Sequence, residues 1–349
     1  MEEASGIRQR LVKLLPWVIT LAIFVFIFRR VPVPELLEAL RQASLLPYLA
    51  LMAPYSMIYC LVDAFVLTKA VTWFNRPLRY TRILPVRAAA YILSLLNPGL
   101  GQGGTAFYIH RREGVPFFEM AGSIVFLVVI EFGQLALYAA IGIFIVQPEL
   151  AAVFAPFYVI FVGAFALALA YVRHGLGPLA RGVQGLCRLA GRNVDLARLA
   201  TKPSAHILRA LQIAGVRHYL LALLYKAPNF FLAILVHYLA VQQFGLQIPF
   251  LALLAFLPVV FLAASLPITV AHLGTSQAAW LFFFAAYGAE ARLLAYSLAA
   301  HFTFMMLNSL IGLCFLKQAL KTPPEAQEDE ALQPRDEAHP HHSSEGKLP

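Results

Sequence analysis

Residues 97–105 read Asn-Pro-Gly-Leu-Gly-Gln-Gly-Gly-Thr and follow directly on the apolar helical run AAAYILSLL at 88–96. Proline removes a backbone donor and glycine admits conformations closed to other residues, so one proline and Gly99, Gly101, Gly103 and Gly104 interrupt the helix. Freed backbone inside an apolar run is tolerable only where protein or a watery cavity surrounds it. The expectation is a re-entrant segment over residues 88–109 that dips into a membrane and returns on the same side.

The rest of the chain supplies the membrane domain this requires. Of 349 residues, 60% are apolar and 13% charged, about half the charge of an ordinary soluble domain. That excludes a water-soluble enzyme. Apolar runs at 14–28, 45–71, 117–146, 150–172, 218–240, 249–266, 275–289 and 293–316 give eight expected full spans. The fold class is all-α, a polytopic helical membrane protein with eight spans and one re-entrant broken helix. Lys and Arg number 27 against 18 acidic residues. The basic residues fall between apolar runs, which reads as topology and contact with anionic phospholipid, not nucleic acid.

Charge also orders the segments. Arg76, Arg79, Arg82 and Arg87 have no acidic neighbour, and residues 173–217 carry eight basic residues against Asp195. By the positive-inside rule both are cytoplasmic. The expected organisation is a cytoplasmic N-terminus at 1–10, a first membrane half at 11–172, a basic connector at 173–217 and a second half at 218–318. Within the connector, Leu176, Leu179, Val183, Leu186 and Leu189 recur at helical spacing between arginines, the pattern of a helix lying in the headgroup plane or of a charged connector alone. Residues 319–349, acidic and proline-rich, are an expected disordered cytoplasmic tail. Cys60, Cys187 and Cys314 form no CxxC pair, and no metal-ligand or nucleotide-binding motif is present. Neither a metal nor a cofactor is expected.

A second break stands at 266–277, Leu-Pro-Ile-Thr-Val-Ala-His-Leu-Gly-Thr-Ser-Gln. Pro98 and Pro267 are 169 residues apart (267 − 98), which puts interruptions in both halves, as in transporters built from an internal, often inverted, repeat. Candidate headgroup residues are Asn97, Gly99, Gly101, Gly103, Gly104 and Thr105 at the first break and His272, Gly274, Thr275 and Gln277 at the second. Arg111 and Arg112 follow the first break and are suited to a phosphate. Two readings stand for these breaks: an anion site on the half-helix N–H groups, or close packing alone. Asp63, Glu131, Glu290 and Arg292 are the gating or coupling candidates, since ionisable residues in spans face protein or a cavity. A structural hydrogen bond is the competing role for Glu131.

NPGLGQGGTAFYIHRREG at 97–114 and LPITVAHLGTSQAAW at 266–280, with the spans around them, resemble the membrane region of the lysylphosphatidylglycerol synthases, a flippase-like family. The resemblance covers residues 10–318 and rests on Pro98, Gly101, Gly103 and Arg111 or Arg112 in the first motif and Pro267 and Gly274 in the second. Gln277 stands where the family often has an acidic residue, and His272 where it often has glycine. The resemblance implies a multi-pass protein of a bacterial inner membrane, both termini cytoplasmic, that moves or accommodates a lipid headgroup. The soluble aminoacyltransferase part of the synthases has no counterpart here, so lysyl transfer is not expected. The expected function is lipid translocation, with membrane phospholipids and a lipid-modifying enzyme as partners. The alternative is an integral-membrane transferase, or its non-catalytic partner, in a hopanoid, isoprenoid or glycolipid pathway.

Overall fold

The computed structural model describes residues 18–146, 148–174, 206–265 and 273–320. The N-terminus, the connector helix proposed at 176–189, His272 and the tail lie outside the described residues. Twelve helices are described: α1 (18–30), α2 (Val33–Gln42), α3 (Leu45–Phe74), α4 (Tyr80–Leu96), α5 (Pro98–Glu113), α6 (Phe117–Ile141), α7 (Pro148–His174), α8 (Arg209–Ile213), α9 (Val216–Gln242), α10 (Phe250–Ser265), α11 (Thr275–Phe283) and α12 (Glu290–Leu320). A π-helical turn, Gly142–Val146, extends α6. Five of the helices, α3, α6 with its extension, α7, α9 and α12, are long and apolar enough to cross a membrane. Their apolar outward surfaces, such as Ile160 and Leu167 on α7 or Leu310 and Leu313 on α12, would be untenable in water. The protein is a polytopic helical membrane protein.

The first break makes a helical hairpin. Asn97 leaves the helix in an extended conformation, and its side-chain oxygen accepts from Gly99 N at 2.7 Å, capping α5. Proline at the first position of α5 has no donor to lose. The arms then run back along each other. A Cβ on Gly101 would stand 1.8 Å from Ser94 Oγ and 2.9 Å from Ala90 O, so the missing side chain is what lets α5 lie against α4. At the other end of the hairpin Arg82 reaches Glu113 at 3.1 Å. The hairpin runs from Tyr80 to Glu113, with the expected 88–109 as its inner part.

The second break makes another hairpin where two full spans were expected. The arm α10 has 16 residues and α11 nine, about 24 and 14 Å of helix, against about 30 Å of hydrocarbon. Phe256 on α10 meets Phe283 and Phe284 at the end of α11, ring centroids 5.3 and 5.9 Å apart, so the arms are antiparallel. Gly274 opens α11 at φ 92°, a left-handed value glycine permits. Its N–H donates to Gln277 Oε1 at 2.7 Å, and Ile23 of α1 packs against it.

The same order therefore occurs twice: long helix, two half-helices, long helix, as α3-α4-α5-α6 and α9-α10-α11-α12. Each hairpin has its own core. Ile83, Ala106 and Ile109 pack with the far end of α3 and the start of α6. Leu253, Leu257 and Trp280 pack with α1, α2 and the start of α12. The hairpin bases lie at opposite ends of the bundle. The base of the first meets Arg76 at the end of α3 and Gln318 at the end of α12. The base of the second meets the other ends of the same helices: Ser44 N donates to Gln243 O, Arg30 pairs with Glu290, and Arg292 donates to Gly245 O.

Candidate functional site

Between the two cores lies a cavity of about 420 Å³, walled by α3, α6, α9 and α12 and by the shoulders of both hairpins. Leu95 and Gln102 flank the first tip there, and Ser265 and Ser276 the second. The hairpins enter from opposite ends and meet at one chamber.

Its wall is mostly apolar and aromatic but carries two ion pairs. Arg87 Nε of α4 donates to Asp63 Oδ2 of α3 at 2.6 Å, Tyr91 OH donates to the same oxygen at 2.7 Å, and Arg87 Nη1 reaches Thr105 Oγ1 of α5 at 3.4 Å. Thus Arg87 ties the first hairpin to α3. Lys226 Nζ of α9 donates to Glu131 Oε2 of α6 at 2.9 Å and lies 3.5 Å from Leu127 O. Glu131 is about half exposed, at 48%, while Lys226 is largely covered at 16%, so the carboxylate is the open member of that pair. Charges in an apolar wall are tolerated because they are paired and have water-sized space beside them.

The expected site residues are dispersed by this geometry. Asn97 and Gly99 cap the first tip, Gly101 and Gly104 are packing positions against Ser94 and Leu93, and Gly103 faces open space. Thr105 is fully buried and takes part in the Arg87 network. Arg111 and Arg112 are separated from the tip by most of α5, about 20 Å of helix. Arg112 Nη1 donates to Gln318 O, with Glu113 beside it, whereas Arg111 is exposed. The tip N–H groups and these arginines therefore do not form a single site. Gly274 and Gln277 shape the second tip and Thr275 starts α11. Glu290 and Arg292 stand at the second hairpin's base, paired with Arg30 and bonded to Gly245 O and Gln42, away from the chamber. Of the four gating candidates, Asp63 and Glu131 line the chamber.

Sequence reading missed Arg87, Tyr91, Lys226, Asn229 and Asn308 as chamber residues. Lys226 carries the same signal that marked Glu131, an ionisable residue inside an apolar span.

A family model described as the lysylphosphatidylglycerol synthase TM region matches residues 13–312. The chain belongs to that family. The match runs from before α1 into the last third of α12, so both hairpins, both ion pairs and the chamber fall within the lysylphosphatidylglycerol synthase TM region. Membership supports a lipid-related function in the membrane. No curated protein matches the chain.

Proposed function

We propose that this protein moves a lipid with a polar or anionic headgroup between the leaflets of a bacterial inner membrane, the headgroup passing through the chamber while the acyl chains stay in the bilayer. The observation that carries the reading is the chamber itself, placed where two oppositely entering hairpins meet and furnished with Asp63–Arg87 and Glu131–Lys226. A charged side chain at the bilayer centre costs about 2.5–3.5 kcal/mol on insertion scales, so two such pairs mark a polar path. Paired half-helices from opposite faces are also how transporters with inverted repeats build a midplane site.

Charge sets the orientation in this reading. Arg76, Arg79, Arg82, Arg111, Arg112, Arg209, Arg217 and Lys317 gather at the end holding the first hairpin's base, against Glu113 and Glu119. The opposite end sets Arg29, Arg30, Arg41 and Arg292 against Glu35, Glu38, Glu149 and Glu290. The basic end is cytoplasmic by the positive-inside rule. The first hairpin then enters from the cytoplasm and the second from outside, the two halves are inverted, and both termini are cytoplasmic.

Single cysteines in a background lacking Cys60, Cys187 and Cys314 test this orientation. In intact cells an impermeant maleimide is expected to label Gln247→Cys, beside the second hairpin's base, and to label Arg79→Cys only after permeabilisation. Labelling of both from the same side would exclude the inverted arrangement.

Translocation is tested in liposomes holding the purified protein, by leaflet-resolved movement of headgroup-labelled anionic phospholipid and of an isoprenoid-linked lipid. Protein-dependent movement is expected for at least one. Lys226→Met, which strips Glu131 of its cation, is expected to slow it about tenfold or more, and Arg111→Ala, far from the chamber, far less. No movement of either lipid by folded, correctly oriented protein would shift the reading to a transferase or its partner.

A further inference from the structure

We infer that the outward face of α5 is a docking track for one lipid of the cytoplasmic leaflet with a net-anionic headgroup, its phosphate at Arg111 and an acyl chain over Gly103. The track is separate from the chamber and rests on the translocation reading only for the leaflet it faces.

Leu100, Gly103, Phe107 and Arg111 recur at spacings of three and four and so share one face of α5. Gln102, which lines the chamber, is on the other side of the helix, and none of the four lines the chamber. Leu100 is 54% exposed and Phe107 48%, and Arg111 is exposed beyond them. This apolar face, ending in a cation, is turned toward the bilayer. From Leu100 to Arg111 is 11 residues (111 − 100), about 16 Å of helix, and one leaflet supplies about 15 Å of hydrocarbon. With Arg111 at the headgroup level of the basic end, Leu100 at the hairpin tip stands near the midplane. The face is as long as one acyl chain.

Gly103 gives the track its shape. Gly101 and Gly104 lack a side chain for the sake of α4, since a Cβ on either would run into Ser94 or Leu93. At Gly103 a Cβ would meet nothing within 4 Å. Glycine weakens a helix relative to alanine, and here no internal contact requires it. Between Leu100 and Phe107 it leaves a notch in the outward surface. An empty notch forfeits dispersion contacts, and a flexible acyl chain restores them.

Charge selects the headgroup. Glu113, two residues beyond Arg111, is buried and held by Arg76, Arg82 and Arg112 at 3.1 to 3.8 Å. It therefore does not offset Arg111, which forms no ion pair among the described residues. A guanidinium at headgroup level takes phosphate oxygens by charge-assisted hydrogen bonds. In a zwitterionic lipid the phosphate charge is offset by the lipid's own ammonium, so a net-anionic headgroup gains more from Arg111.

The test is photocrosslinking of the intact protein in phosphatidylcholine liposomes. The probes are phosphatidylglycerol and phosphatidylcholine, each with a diazirine midway along one acyl chain, and the adducts are mapped by mass spectrometry. At residues 100–107 the phosphatidylglycerol probe is expected to give about fivefold more adduct than the phosphatidylcholine probe. The outward face of α7 around Ile160 and Leu167 reports unselected lipid, and there the ratio is expected to be about one. Arg111→Ala is expected to bring the α5 ratio to about one. Gly103→Leu, which fills the notch, is expected to lower the phosphatidylglycerol adduct several-fold. Neither variant removes an ion pair or adds a clash to the described structure, and thermal unfolding checks that both remain folded. Equal ratios on α5 and α7 in the wild type overturn the inference, leaving unselected lipid on both faces. A ratio unchanged by Arg111→Ala, or an adduct unchanged by Gly103→Leu, also overturns it, by placing the headgroup or the chain elsewhere. Leaflet movement reports separately on translocation: movement with no preference on α5 sinks the inference and spares the reading, and a preference on α5 without movement of any lipid does the reverse.

Discussion

Arg87→Met is expected to destabilise the protein by about 3–5 kcal/mol, the range for removing one partner of a buried pair, and to abolish lipid movement. The side chains of Arg87 and Asp63 are 17% and 14% exposed, and Arg87 bridges three helices through Asp63 on α3, its own α4 and Thr105 on α5. Without the guanidinium, the Asp63 carboxylate loses its ion-pair partner and keeps, among the described residues, the Tyr91 hydroxyl at 2.7 Å as its hydrogen-bond donor. Most of the loss is therefore the cost of an uncompensated anion, and this distinguishes stability from function. The double variant Arg87→Met, Asp63→Leu removes both charges, and its thermal unfolding in detergent is expected to recover much of the single variant's loss, since a buried pair replaced by apolar groups is often neutral. Lipid movement is expected to stay lost, because the polar path is then broken. A single variant that melts with the wild type would mean that water solvates Asp63 fully, and the pair would no longer mark the membrane interior. A double variant that moves lipid at the wild-type rate would leave the pair a purely structural strut.

This pair also shows where sequence reading stops. Arg87 follows Arg76, Arg79 and Arg82 and comes two residues after Pro85, so it reads as the last residue of a basic loop. In the structure Pro85 lies inside α4, in its second turn, where it forfeits one backbone hydrogen bond without ending the helix, and Arg87 is a helical residue turned into the protein. Charge composition locates a cytoplasmic segment but not the residue at which the helix begins. The two hairpins make the same point at larger scale. Asn97-Pro98 followed by spaced glycines is a physical signal for a helix break, because a capping side chain, a missing donor and missing side chains all favour it. The sequence at 266–277 carries the same signal, yet the apolar stretches on either side look like spans, since hydrophobicity does not report that α11 stops after nine residues. The inward position of Lys226 was within reach, as Lys226 lies in an apolar span just as Glu131 does. The joining of Asn229 and Asn308 from α9 and α12 was not, because it depends on packing between helices far apart in the chain.

One methyl group at Gly142 should be nearly as damaging as the loss of Arg87. At the start of the π turn, α6 comes so close to α10 that a Cβ on Gly142 would stand 2.4 Å from Ala255 Cα, 2.7 Å from its carbonyl oxygen and 2.9 Å from its carbonyl carbon. A clash with a side chain is relieved by a rotamer change, but these are backbone atoms inside a helix, and relief requires α6 and α10 to separate. Overpacking of this kind costs about 1–3 kcal/mol and occasionally more, and the backbone contact puts Gly142→Ala at the upper end. Gly163→Ala on α7 is the matched control, since nothing lies within 4 Å of a Cβ there. In a helix that control should be neutral or stabilising by up to about 1 kcal/mol, so the two variants are expected to move the unfolding midpoint in opposite directions. The separation also displaces the second hairpin, whose Ser265 and Ala264 line the chamber on the same arm as Ala255. Gly142→Ala is therefore expected to slow lipid movement at temperatures below its own unfolding midpoint, while Gly163→Ala leaves it unchanged. Equal melting of the two variants would place α6 and α10 farther apart than the fold has them. Reduced stability with full lipid movement would separate the position of the second hairpin from transport.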